Sequence, residues 1–260
     1  MRELLLGLLD LALPPRCARC GALPDRGTPL CRPCLGRLPR LPEGCCPVCQ
    51  IRPAPGPARP CTACSLNAGP LSACVSAFWF EGDVERWVRR FKYPSGGVAG
   101  LDAPARGVVR WLAAEAGVLA PGEAPGRIVP VPLHPRVLRH RGFNPAAVLA
   151  HAIARAHGGR VAPGAVVRTR DTPSQTGLNR AQRRRNVSGA FRARGTQPDT
   201  VWLVDDVVTT GATLSDAARA LRGAGARVIV AVCAARTPPP GQRDASPGPA
   251  LEPRRRTVDQ

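Results

Sequence analysis

Apolar residues along most of the chain fall into two patterns, short continuous runs and runs at helical spacing, and the two alternate. Residues 72–80 read as a strand and 83–93 as a helix with Asp83 near its start. Residues 101–116 predict a second helix, its beginning limited by Pro104, and 128–133 a short buried strand. Asn144 then offers a helix cap, with Pro145 in the first helical position. Leu149, Ala152, Ile153 and Ala156 recur at helical spacing until Gly158 ends the run. Residues 201–204 form another apolar strand. Leu214, Ala217, Ala218, Leu221 and Ala224 line one face of a helix that Gly225 terminates. Residues 228–234 are continuously apolar, as in a parallel strand buried on both faces. This alternation predicts an α/β fold, a mostly parallel sheet flanked by helices.

The ends of the chain differ. Residues 1–13 are leucine-rich but carry Glu3 and Asp10, and they lead into Pro14 and Pro15 without a small-residue cleavage site. That reads as a short amphipathic or packed helix rather than a signal peptide. No run of about 20 apolar residues exists to span a membrane, so a cytoplasmic location is the default expectation. From Pro238 onward, six prolines among scattered charges predict a disordered tail. The expected organisation is 1–70, a helix and a cysteine-rich unit; 71–237, the α/β unit; and 238–260, the tail.

Cysteine redefines the first unit. Nine of the 11 cysteines lie in the first 64 residues, and eight form C-x-x-C pairs: Cys17/Cys20, Cys31/Cys34, Cys46/Cys49 and Cys61/Cys64. Two intervening residues let both thiolates face one point, and two such knuckles complete a tetrahedral Zn²⁺ site. The loops between successive pairs are too short to build a core, so zinc would supply the folding energy. A double zinc ribbon with two structural sites is expected. Sequential pairing and interleaved pairing both satisfy the spacing. A disulfide scaffold would need export, and redox C-x-x-C pairs would need a surrounding βαβ pattern. Cys45 is a spare beside a ligand. Cys74 and Cys233 sit in apolar runs and read as buried thiols.

Charge narrows the partner. Lys and Arg number 37 against 18 Asp and Glu, a formal net charge of +19, and Lys92 is the only lysine. Arginine grips phosphate with a two-pronged fork, so a polyanionic partner is expected. The surplus is uneven. Residues 168–194 hold eight arginines against one acid, Asp171, while Arg136, Arg139 and Arg141 follow the strand that ends at Leu133. Gln175 and Asn186 suit hydrogen bonding. His134 and His140 lie near this rim; His151 and His157 fall within a helix, where surface exposure is the expectation.

The most informative segment is 201–213, Val-Trp-Leu-Val-Asp-Asp-Val-Val-Thr-Thr-Gly-Ala-Thr. An apolar strand ends in Asp205 and Asp206, a Thr/Gly loop follows, and a helix starts near Leu214. Ligands of open α/β sheets bind at the carboxyl ends of strands. Gly211 lets backbone approach a ligand, and the loop amides with the helix N-terminus make a phosphate nest. Thr209, Thr210 and Thr213 add hydroxyl donors. Two carboxylates before a phosphate nest suit ribose hydroxyls, so the ligand implied is a sugar phosphate with vicinal hydroxyls.

These residues resemble the 5-phosphoribosyl 1-diphosphate (PRPP) motif of type I phosphoribosyltransferases. The blocks 131–144 (Val-Pro-Leu-His-Pro-Arg-Val-Leu-Arg-His-Arg-Gly-Phe-Asn), 172–178 (Thr-Pro-Ser-Gln-Thr-Gly-Leu), 183–186 (Arg-Arg-Arg-Asn) and 190–191 (Ala-Phe) are similar to the bacterial ComF family. That family joins a double zinc ribbon to a phosphoribosyltransferase-like domain, and several members are linked to uptake of transforming DNA. Three positions depart from its pattern: Pro145 where Gln is commoner, Pro94-Ser-Gly-Gly after Phe91-Lys-Tyr93, and Gln50 in place of a frequent knuckle glycine. The resemblance implies that Asp205 and Asp206 hold the ribose hydroxyls and that Thr209, Thr210, Gly211, Ala212 and Thr213 hold the 5′-phosphate. It implies diphosphate release from C1 with Mg²⁺ and attack by an unidentified nitrogenous base or nucleotide acceptor. Arg136, Arg139, Arg141 and Lys92 are candidate diphosphate ligands, with Arg168 and Arg170 weaker ones. The run 168–194 takes the place of a hood over the acceptor. Single-stranded DNA or DNA-uptake proteins are the alternative partners, in which case the chain would sense PRPP or a nucleotide without turnover.

Overall fold

The computed structural model describes residues 16–239 apart from 26, 57–58, 94–102, 123–124 and 171–188. The expectations for 1–13, for nearly all of the tail and for the middle of the Arg-rich run, with Gln175 and Asn186, lie outside the described residues.

Seven helices and seven strands are formed by the described residues. In chain order they are α1 (Arg32–Leu35), α2 (Thr62–Leu66), β1 (Ala73–Val75), α3 (Gly82–Lys92), α4 (Ala103–Val118), β2 (Arg127–Pro130), α5 (Pro135–Arg141), α6 (Pro145–His157), β3 (Arg160–Val161), β4 (Val166–Arg168), β5 (Phe191–Ala193), β6 (Thr200–Val208), α7 (Ala212–Gly223) and β7 (Val228–Arg236). Strands β1-β7-β6-β2-β3 make a wholly parallel sheet, and β4 and β5 pair as a separate antiparallel hairpin.

Strand alternation divides the core between two faces. Trp202, Val204, Val230 and Val232 point to one face, where α3, α4 and α6 cover them with Trp87, Val88, Leu112, Leu149 and Ile153. Val201, Leu203, Ile229 and Ala231 point to the other, under Leu214, Ala217 and Leu221 of α7 and Val166 and Phe191 of the hairpin. β6 and β7 lie centrally and are covered on both sides, which is why they read as unbroken apolar runs.

Several expectations need correction. The strand expected over 72–80 is continuous only over Ala73–Val75; after a break the chain rejoins β7 through a parallel bridge between Trp79 and Arg236. Its other edge meets the inter-ribbon linker, where Trp79 donates its amide to the Pro39 carbonyl (2.7 Å) and Leu41 to that of Ala77 (3.2 Å). Phe78 bridges Arg40 in the antiparallel sense. The strand expected over 128–133 stops at Pro130, and α5 begins five residues later with Pro135 at its first position. Asp83 lies in the first turn of α3, as expected, and pairs with Arg19 and Arg86. Asn144 does cap α6, accepting the Ala146 amide at 3.1 Å.

Candidate functional site

The site builds up from the carboxyl edge of the sheet. β6 continues through Asp205 and Asp206 to Val208, so the carboxylates lie within the strand rather than at its end. This follows from β7, whose Cys233, Ala235 and Arg236 remain in register with Asp205, Val207 and Val208. Asp205 takes the α7 side, continuing Val201 and Leu203. Asp206 reaches α3 on the opposite side, where Lys92 Nζ lies 2.9 Å from its Oδ1. Burial pushes the Asp205 carboxyl up to about 7, and the neighbouring Asp206 adds to the effect; Lys92, the Asp206 amide and Arg168 pull it down. That amide donates to Asp205 Oδ1 at 2.9 Å.

After Val208 the chain turns through Thr209, Thr210 and Gly211 into α7. Gly211 sits at φ 73°, the left-handed region in which a side chain is strained. Thr210 Oγ1 accepts the Ala212 amide at 3.4 Å. The helix starts at Ala212, two residues before the expected Leu214, so Thr213 lies in its first turn. Amides of that turn and the helix dipole favour an anion at this end.

The same rim carries most of the candidate cations. β2 and β6 are parallel neighbours, so α5, which follows β2, stands at the edge where Asp205 and Asp206 lie. Arg136 and Arg139 are exposed on α5. Arg141 is engaged elsewhere: its guanidinium lies 4.9 Å from the Tyr93 ring centroid, and Nη2 donates to the Tyr93 hydroxyl at 3.0 Å. Arg168, on β4, lies 5.7 Å from the Phe191 centroid and acts electrostatically on Asp205. His134 accepts the Arg136 amide at the start of α5. His151 is exposed on α6, as expected, whereas His157 is half-buried: its Nε2 meets the Ala114 carbonyl at 2.8 Å and its ring packs on Trp202.

Sequence reasoning missed Tyr93, Asp216 and Arg236. Asp216, 5% exposed, accepts the Gly189 and Ala190 amides (3.0 and 2.9 Å) and pairs with Arg219, tying the start of β5 to α7. An acid in the polar part of a helix pattern gives no sign of such a role. Arg236 ends an apolar strand, and that exception to the run was the available signal.

The knuckles assemble sequentially. Sulfurs of Cys17, Cys20, Cys31 and Cys34 lie within 4.8 Å of one another, as do those of Cys46, Cys49, Cys61 and Cys64. Measured edges are 3.6 Å (Cys20–Cys31) and 3.9 Å (Cys49–Cys61). A zinc tetrahedron with bonds of about 2.3 Å has edges of about 3.8 Å, so both groups could hold a structural zinc ion. At Cys17 burial raises the thiol, but the amides of Cys31, Cys20 and Arg19 outweigh it and lower it to about 6. Cys34 is pushed up to about 12 by burial and by neighbouring thiols. One thiolate per group forms readily; four together need a cation. Cys45 stays outside the group, and Cys74 and Cys233 are buried.

Several known proteins are similar to this chain. It is 31% identical over 212 residues to the DNA utilization protein YhgH of Salmonella typhimurium, covering 80% of this chain and 90% of that protein. Competence protein F of Haemophilus influenzae is 35% identical over 109 residues, covering 40% of this chain and 48% of that one. The chain belongs to the ComF family. As in the resemblance read from its motifs, this ComF chain carries two four-cysteine groups ahead of a parallel sheet. It is also 55% identical over 42 residues to an orotate phosphoribosyltransferase of a Nocardioides species, covering 16% of this chain and 24% of that enzyme. No family model matches the chain.

Proposed function

We propose that this chain binds PRPP at the rim formed by Asp205, Asp206 and residues 209–213, and transfers its phosphoribosyl group to a nitrogenous acceptor in the cytoplasm during use of incoming DNA. The observation that carries the reading is the arrangement at the end of β6. Two carboxylates precede a loop that turns at Gly211 into the N-terminus of α7, and Lys92 is seated on one of them. In this reading residues 1–70 form the ribbon unit, 71–237 the PRPP unit and 238–260 the tail.

Asp205 and Asp206 accept hydrogen bonds from the ribose hydroxyls, and the first-turn amides of α7 with the threonine hydroxyls hold the 5′-phosphate. Lys92, seated on Asp206, stabilises negative charge as the bond from C1 to diphosphate breaks. Arg136 and Arg139 stand at the same edge to receive the diphosphate, while Arg141 is committed to Tyr93. The chain's task is to position the reactants and stabilise charge, with no protein nucleophile required. Mg²⁺ fits the hard carboxylate oxygens of this rim and, when bound with PRPP, supplies neutralisation of the diphosphate.

The names of the relatives support a setting in DNA use. If DNA is a direct partner, binding is salt-sensitive and survives Asp206→Ala. Calorimetric titration of PRPP with Mg²⁺ into the zinc-loaded chain and into the Asp205→Ala/Asp206→Ala double variant tests the ribose assignment. A loss of affinity of about 100-fold is expected in the variant, for two charge-assisted hydrogen-bonding groups. Equal affinity in both proteins would overturn the assignment.

A further inference from the structure

The two knuckle pairs are seated on the sheet unit by different chemistry, and the difference lies at the second. In the first ribbon the residue after the knuckle is Gly21, at φ 77°; its counterpart in the second is Gln50, held at φ 51°. Among the described residues Gln50 is the only non-glycine at positive φ. A glutamine there carries backbone strain that glycine would not. The strain comes with burial: Gln50 is 8% exposed, and its Nε2 donates to the Ser76 carbonyl at 3.2 Å. Beside it Arg236, 4% exposed, donates from Nε to the carbonyl of Cys49, itself one of the clustered thiols, at 3.0 Å. The Cys74 amide donates to the Pro47 carbonyl, inside the same knuckle, at 2.7 Å. Every one of these contacts is made by backbone or side chain of the turn that holds Cys46 and Cys49.

Arg236 is also the last residue of β7, paired with Val208 at the root of the loop 209–213. The Thr237 amide donates to the Val208 carbonyl at 2.9 Å. One side chain therefore bridges a metal knuckle and the strand end from which the phosphate loop departs. The junction is incompletely satisfied: Gln50 Oε1, Ser76 Oγ and Arg236 Nη1 are buried without a hydrogen-bond partner. Among the described residues no carboxylate neutralises Arg236. A buried guanidinium held by one knuckle carbonyl responds strongly to a shift of that knuckle.

We infer that Arg236 and Gln50 are positioning residues that couple metal occupancy of the second ribbon to ligand affinity at the phosphate loop, a coupling the first ribbon does not share. The inference rests on the PRPP reading above. With the metal in place the Cys49 carbonyl is fixed, Arg236 is held, and β7 keeps Val208 in register. When the metal leaves, the acceptor moves, and the end of β7 keeps its backbone bonds to Phe78 and Phe80 but loses the side-chain anchor that sets its position against the knuckle. Thermodynamic linkage makes the effect reciprocal: PRPP bound at the loop must tighten the metal in the second ribbon by the same factor.

Chelator competition on the full zinc-loaded chain, with and without saturating PRPP and Mg²⁺, tests this. Alkylation of released cysteines, located by peptide mass, tells which ribbon has opened. Protection of Cys46, Cys49, Cys61 and Cys64 by about 10-fold is expected, within the range of ordinary coupling, with none for the first four thiols. The protection disappears in Arg236→Met. In Gln50→Gly it shrinks although the knuckle turn is relieved of strain and still binds metal. That variant keeps the test open should Arg236→Met fail to fold. Equal protection of both ribbons, or none in a wild-type chain that calorimetry shows to bind PRPP, overturns the coupling alone. A wild-type chain that binds no PRPP overturns the reading beneath it, and the coupling with it.

Discussion

The first and second ribbons have the same ligands at nearly the same spacing, yet they attach to the molecule in opposite ways. Cys17, Leu30, Cys31, Cys34 and Leu38 are buried within the core cluster that contains Trp87, Leu112 and Trp202. The first ribbon is thus continuous with the sheet's own core. No described residue of 45–64 belongs to either core cluster; the second ribbon is held by amide, carbonyl and guanidinium contacts along the edge strand β1 and the end of β7. An apolar seat is non-directional and tolerates small shifts, whereas hydrogen bonds between buried groups have one good geometry. The first ribbon contributes stability, and the second contributes position. It also covers the otherwise open edge of β1, a liability in any sheet.

Ligand substitution should break the comparison most widely. Cys34→Ser removes a metal ligand and opens the shared core, so the whole chain is expected to lose its cooperative thermal transition. Cys46→Ser is expected to release one zinc while that transition persists, as zinc counting beside calorimetric melting can show. A transition lost equally in both would mean the second ribbon is as central to the core as the first.

Next in size is the apolar seat itself. Leu38 is 2% exposed, so Leu38→Ala should lower stability by about 2–5 kcal/mol in denaturant titration. A substitution in the second ribbon with an equal effect would contradict its polar attachment.

The pH dependence of ligand binding probes the proposed PRPP site, on the side of the comparison nearer the second ribbon. With the Asp205 carboxyl raised to about 7, its ionised fraction grows about tenfold between pH 6 and 8, and under the proposed function PRPP affinity should rise with it. The sign for folding is opposite. The folded state holds a proton that the unfolded state has lost, so this residue makes the ligand-free chain less stable as pH rises from about 4 to about 7. Asp205→Asn should flatten both profiles; profiles unchanged in that variant would remove Asp205 as their source.

The smallest effect is the sharpest. Gly21→Gln places in the first ribbon the residue that the second tolerates, without the Ser76 contact that accompanies it there. A loss of about 1 kcal/mol is expected from the φ of 77°. No loss would mean that Gln50 is not strained and that its burial needs no further explanation.

Much of this was legible in order of residues. The C-x-x-C spacing implied two metal groups because two knuckles close a tetrahedron wherever they meet. The runs 201–204 and 228–234 implied central parallel strands because only strands covered on both faces dispense with polar residues. The capping of α6 by Asn144 was local, hence readable. What escaped were features set by distant partners. The strand expected over 72–80 is interrupted after Val75, and its second half is shared between β7 at Arg236 and the linker at Pro39 and Leu41, some 40 residues away. His157 was drawn inward by a carbonyl on α4. Lys92 and Asp206 are more than 100 residues apart, and Arg141 was claimed by Tyr93 rather than left on the rim.

By itself, then, the sequence determined the local chemistry of this chain: thiol pairs that need a cation, a glycine turn into a helix N-terminus, and two carboxylates before it. Tertiary structure decided which of those pieces act together. It chose sequential over interleaved knuckles, turned Asp205 and Asp206 toward opposite faces of the sheet, and joined a cysteine knuckle through Arg236 to the strand end from which residues 209–213 depart. The physical reason is range. Spacing and capping act within a few residues, and the sequence records them directly. Pairing between buried groups depends on which surfaces the packed sheet brings together, and only the folded chain contains that.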